Sequence, residues 1–134
     1  MPAMTTKAGG VCIASGDVCL VPSTPSPLPI PFVNLGQCAD AVATAANVLV
    51  GGAEAVVESS MIPFSTGDEA GSLGGIVSGT FMGLAKFKTG SAKVKAGGKR
   101  VVLQGATVGQ NGSPANAPFG QQLDPSQGKV TISG

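Results

Sequence analysis

The 134-residue chain has no histidine, no tryptophan and no tyrosine, and only five phenylalanines. Without histidine it lacks the usual general acid–base group at neutral pH and the commonest metal ligand. No serine or cysteine has a histidine base available, and no lysine stands in a Ser-x-x-Lys setting, so the familiar nucleophilic designs are excluded. Charge is scarce as well: charged residues make up 11% and the net charge is +1. Self-repulsion therefore does not hold the chain open, and a mean hydropathy of +0.33 argues for folding over disorder. Bulky apolar groups are also few, because the 43% hydrophobic fraction is mostly Ala and Val. Such a core is thin, which argues against a thick helical bundle. No cationic segment followed by an apolar one opens the sequence, so no secretory signal is expected. Assembly in the cytoplasm with reduced thiols follows as the expectation.

Glycine and proline are abundant, at 21 and 10 residues. This composition predicts short strands joined by tight turns, within one domain spanning residues 1–134. Val11–Ala14 and Val18–Val21 read as strand segments. Prolines 22, 25, 27, 29 and 31 predict an extended, polyproline-like surface crossing rather than an exposed ligand for an aromatic groove. Alanine alone gives residues 38–47 the propensity for a short helix. Beyond it, Val48–Val50, Gly51-Gly52 and Ala55–Val57 predict a hairpin. The pattern returns 46 residues later in Val94–Ala96, Gly97-Gly98 and Val101-Val102, with a one-residue slip after the turn. Lys7-Ala8-Gly9-Gly10-Val11 is a fainter third echo. Leu84–Lys88 and Ala92–Ala96 predict another hairpin, and Lys129–Ile132 a last strand.

Candidate sites are few. Cys12, Cys19 and Cys38 lack the close cysteine pair of zinc sites, and even with Asp17 or Asp40 added they read better as small buried hydrophobes. Asp68 and Glu69 are adjacent, so their side chains point to opposite faces and do not converge on a substrate. Lys86, Lys88, Lys93, Lys95, Lys99 and Arg100 concentrate positive charge: residues 1–85 carry a net −5 and residues 86–134 a net +6. Alternating lysines are the ordinary solvated face of a hairpin, although they also raise a nucleic-acid reading. Ala70–Ala85 carries no charge, with glycine at 71, 75, 79 and 83. At sixteen residues it is shorter than the roughly 20 a membrane helix needs, and its glycines predict loops.

Several blocks together resemble one family. Thr5–Val18 resembles the opening of PAAR domains. Cys19–Pro25, Leu28–Asn34, Ser65–Ser78 and Asn111–Pro118 resemble the blocks of the PAAR-like spike-tip proteins, in order along most of the chain. The resemblance implies a mainly β, small conical domain of short β-hairpins with pseudo-threefold repeats. It implies a structural tip that caps and sharpens the trimeric VgrG-type spike of a bacterial contractile injection machine such as a type VI secretion system. One tip would sit on each trimer, with or without an effector, and the tip would leave the cell with the spike. PAAR tips hold zinc with histidines and a cysteine; here the matching positions fall near Lys7 or Ala8 and near Gln110, so zinc does not carry over. The expectation is therefore no enzyme, no catalytic residue, no cofactor, no metal, no nucleic acid and no stable membrane insertion. Two other classes stay open: a small membrane-acting toxin using Ala70–Ala85, and a basic nucleic-acid-binding β domain using Lys86–Arg100.

Overall fold

The computed structural model describes residues 2–23, 25–128 and 130–132. Ten antiparallel strands account for nearly all regular structure, as the glycine and proline content predicts. They are β1 (Val11–Val21), β2 (Leu28–Gln37), β3 (Ala45–Val50), β4 (Ala53–Ala55), β5 (Met61–Ile62), β6 (Ala85–Phe87), β7 (Lys95–Ala96), β8 (Lys99–Arg100), β9 (Thr107–Gln110) and β10 (Ala117–Asp124). One sheet has the order β2-β1-β10-β9-β6-β5, and β3–β4 and β7–β8 form separate hairpins.

Three segments far apart in sequence close a ring. Thr5 N–H donates to the carbonyl of Val102 (2.8 Å), Val102 N–H to Val56 (2.9 Å), and Val56 N–H to Thr5 (3.0 Å). The flanking residues repeat the cycle, since Thr6 bridges Ala55, Val57 bridges Val101, and Leu103 bridges Met4. Each segment therefore bonds to both of the others in the same way, a threefold arrangement built from one chain. All three central residues are buried, so each ring bond satisfies backbone groups that water does not reach.

A hairpin leads into each segment. The β3–β4 hairpin precedes Val56, and β7–β8 precedes Val102. The third is assembled from both ends of the chain: Met4 N–H donates to Val130, Ile132 N–H to Pro2, and Ala3 bridges Thr131. Met4, Ala45, Ala55, Val57, Ala96, Val101 and Ile132 pack together inside this end. A second core, with Cys12, Cys38, Ile62, Phe87 and Val108, lies within the large sheet. Both cores are mostly Ala, Val and Cys, as the composition predicts, with Met4, Ile62, Phe87 and Ile132 the larger members.

The ring revises the repeat. Val56 and Val102 are 46 residues apart, the same spacing as Gly51-Gly52 and Gly97-Gly98, so there is no slip. The third copy is not Lys7–Val11. Gly9 has φ 154°, and β1 starts at Val11, so no hairpin forms there. In the two true copies the glycine pairs have φ near 60° and 83°, the conformation of a two-residue type I′ turn. Gly97 at φ 61° has open space around its Cβ position beyond a 4.0 Å contact with Ala45. A Gly97→Ala change therefore tests conformation without a clash. We expect a loss of about 1 kcal/mol in urea unfolding, from the left-handed backbone alone.

Other expectations change too. Residues 38–47 give only one 3₁₀ turn, Cys38–Asp40, because Ala45–Asn47 pair as β3 instead. The Leu84–Ala96 hairpin does not form: β6 pairs with β5 and β9, while β7 pairs with β8. Ser91 makes the break, since its hydroxyl accepts from the N–H groups of Lys93 and Val94 and curls the chain away. Pro29 and Pro31 lie in β2, opposite Leu20 and Val18 at the edge of the sheet. Neither has an N–H to offer a further strand, so the edge is blunted. Lys129 lies outside the described residues, but Val130–Ile132 pair as predicted. Residues 70–84 form turns without a helix, and among the described residues no helix is long and apolar enough to cross a membrane.

Candidate functional site

Two regions stand out: the three hairpins just described, and a buried polar centre. The centre is created by a bulge. The β1–β2 register shifts between Ala14 and Asp17. Before the bulge the even positions Cys12 and Ala14 face inward; after it the odd positions Asp17 and Cys19 do. A one-residue insertion moves every following side chain to the other face, so Ser15-Gly16 decides that an aspartate enters the interior.

Asp17, Cys19, Asn34, Ser65, Asp68, Asn111 and Asn116 meet there, each at most 6% exposed. Asp17 is the hub. Its Oδ1 accepts from Asn116 Nδ2 (2.6 Å), Asn111 Nδ2 (2.8 Å) and the Cys19 thiol (3.5 Å). Its Oδ2 accepts from Asn34 Nδ2 (3.2 Å), which also reaches Ser65 Oγ (2.9 Å). Asp68 Oδ1 accepts from Met82 N–H (2.9 Å), and its Oδ2 lies 3.8 Å from the Cys19 sulfur. Gly71 closes the roof. A Cβ there would lie 2.3 Å from Cys19 Cβ, so only glycine allows the loop this close.

Burial pushes the Asp68 carboxyl up, and its hydrogen bond to Asp17 adds to this, bringing it to about 6. Burial also raises Asp17, but bonds from Asp68, Asn111, Asn116 and Cys19 outweigh it and hold the carboxyl below its ordinary value. Below about pH 6 the pair therefore holds one proton, carried by Asp68 beside an ionised Asp17. Burial and the two carboxylates raise the Cys19 thiol to about 12, so it is not a ready nucleophile.

The ligand atoms of Asp17, Cys19 and Asp68 lie within 4.8 Å of one another, the arrangement a metal ion would need. The surrounding amides do not suit one. Asn116 Oδ1 accepts from Val77 N–H, Asn111 Oδ1 from Gly83 N–H, and Asn34 Oδ1 from Gln110 Nε2. Those bonds fix each amide with its N–H₂ toward the carboxylates, so the lone pairs a cation would take are filled by donors. No fourth ligand completes a tetrahedral zinc site from this set. The residues do not fit zinc; they fit a shared proton.

The sequence candidates separate accordingly. All three cysteines are buried, but they do not gather: Cys12 lies against Cys38, while Cys19 sits in the polar centre. Asp40 joins neither group; it lies in the 3₁₀ turn. Asp68 and Glu69 do diverge, since Asp68 is buried and exposed Glu69 accepts from Gly67 N–H. Lys86, Lys88, Lys93 and Lys95 are exposed, with Phe87 buried. An aromatic does lie near them: Lys88 donates to the Pro118 carbonyl, next to Phe119, which is 86% exposed. Asn34, Asn111 and Asn116 were not singled out as site residues from sequence.

The sequence profile of the toxin PAAR-like domain matches residues 10–117, which include five of the six strands of the large sheet, the polar centre and two of the three hairpins. The chain belongs to the toxin PAAR-like domain family. No curated protein and no solved structure matches it. The matched stretch of this PAAR-like chain begins one residue before β1 and ends at the first residue of β10. The third hairpin, made from residues 2–4 and 130–132, therefore lies outside the matched range.

Proposed function

We propose that this chain is a non-enzymatic spike tip, one copy of which caps a trimeric VgrG-type spike of a contractile injection machine. It assembles in the cytoplasm and leaves with the spike. The observation that carries this reading is the Thr5–Val56–Val102 ring, because a monomer meets three equivalent chains only if it offers similar edges three times. The hairpin end is the docking face. There the three segments emerge at equivalent positions, and grooves between them repeat. One groove lies between Val57 and Ser59 on one side and Lys99 on the other; the next lies between Leu103 and Gly105 and Pro2. In each case the residues stand one and three places after one ring residue and three before the next.

Exposed Leu49 and half-buried Val48 and Val50 supply apolar contact on β3, and Lys95 and Lys99 supply steering charge. About 800 Å² per side is enough for a specific interface. Mixing the chain with the spike protein of the same machine and weighing the complex by light scattering tests the reading. We expect one tip per trimer, and at least tenfold weaker binding for Leu49→Asp, which leaves the core intact. A 3:3 complex, a homotrimer of the tip alone, or no binding at micromolar concentration would defeat it.

A further inference from the structure

Two of the three cysteines have no part in the polar centre. Cys12, the second residue of β1, and Cys38, which follows the last residue of β2, place their sulfurs 3.9 Å apart. Both are fully buried. Their backbones are tied together, since Cys38 N–H donates to the Gly10 carbonyl (3.0 Å). The residue opposite Cys12 is Gly36, so no side chain stands between the two sulfurs from that position. Cys19, at the far end of β1, faces Asp17 and Asp68 and is not a competing partner.

We propose that Cys12 and Cys38 are a cross-link site, closed to a disulfide by a small-molecule disulfide of the glutathione class. One protein thiolate attacks the small disulfide, forming a mixed disulfide and releasing one small thiol. The second protein sulfur, its proton passed to solvent, then attacks the protein sulfur of the mixed disulfide and releases the second small thiol. Two protein thiols are oxidised and one small disulfide is reduced. Both sulfurs are buried, and the contact with Cys38 together with burial raises the Cys12 thiol far above its ordinary value. Exchange therefore proceeds through opened forms and is slow in the intact fold. The cross-link closes the loop from Cys12 to Cys38, which contains the bulge and the proline-rich edge of β2. Constraining that loop in the unfolded chain stabilises the fold. The site stands independently of the capping reading; if that reading holds, the link forms after the tip leaves a reducing compartment.

The full-length chain is incubated with oxidised glutathione, with and without moderate urea, and then returned to buffer. We expect an intact mass lower by about 2 Da, faster in urea, and one thiol left to alkylate in the denatured chain, mapping to Cys19. The thermal midpoint should rise by roughly 10 °C and fall back on adding reductant. Peptide mapping of the wild-type product identifies the pair directly, so the result does not depend on a variant that folds. Cys12→Ser and Cys38→Ser should each abolish the mass loss. Retained glutathione on Cys12 or Cys38, a pair that includes Cys19, a lower midpoint after oxidation, or no mass change even from urea would overturn the proposal.

Discussion

Replacing Asp17 by alanine is expected to cost about 4 kcal/mol, a large share of the roughly 5–15 kcal/mol that stabilises a domain. The carboxylate accepts from Asn34, Asn111, Asn116 and Cys19, all buried. Removing it leaves those donors facing a small cavity, and each buried donor without an acceptor costs about 1–3 kcal/mol before the structure relaxes. The amides have nowhere to turn, because their oxygens already hold the N–H groups of Val77, Gly83 and Gln110. Asp17→Asn should lose less, about 2 kcal/mol, since its amide oxygen still accepts from part of the set. Urea unfolding of the three proteins checks the order. An alanine variant within 1 kcal/mol of wild type would mean that the centre does not hold this end together.

The same centre shows where sequence reasoning reached and where it stopped. The small-residue core, the Gly51-Gly52 and Gly97-Gly98 turns and the non-helical Ala70–Ala85 stretch were legible, because each depends on local backbone preference. The third hairpin was not, because its strands, Pro2–Met4 and Val130–Ile132, come from opposite ends of the chain and no turn joins them. Gly9-Gly10 offered a local match and drew the reading to the wrong place. The helix over residues 38–47 failed because pairing with β4 outweighs the weak preference of alanine. A usable signal for the polar centre was present. Ser15-Gly16-Asp17 and Thr66-Gly67-Asp68 stand 51 residues apart, the same separation as Thr5 and Val56. Two of the three copies therefore stay in step from the ring to the carboxyl pair, and reading both glycine–aspartate pairs as one repeat would have brought Asp17 and Asp68 together. The three asparagines carried no such mark. Their role comes from burial, which no local pattern records.

Asp68 makes stability depend on pH in a direction opposite to that of ordinary salt-bridged acids. Asp68 is raised to about 6 from 3.8, so the folded chain holds its proton more tightly than the unfolded chain does. Its contribution is fully present below pH 3.8 and declines as pH rises, being lost once pH passes about 6. Asp17 is lowered, so its contribution is present above 3.8 and is lost as pH falls through its folded value. Together they place the most stable state in mildly acid solution, with Asp17 ionised and Asp68 protonated. Between pH 4.5 and 7.5 the wild type should lose about 2 kcal/mol from Asp68 alone. Asp68→Asn isolates the effect, because its amide donates to Asp17 as the protonated acid does but cannot ionise. The variant should match wild type near pH 4.5, exceed it at pH 7.5, and show a flat profile between. Urea unfolding at several pH values, with ionic strength held constant, measures both curves. A wild type that gains stability toward pH 7.5, or an Asp68→Asn variant with the same slope, would show that the two carboxyls do not share a proton.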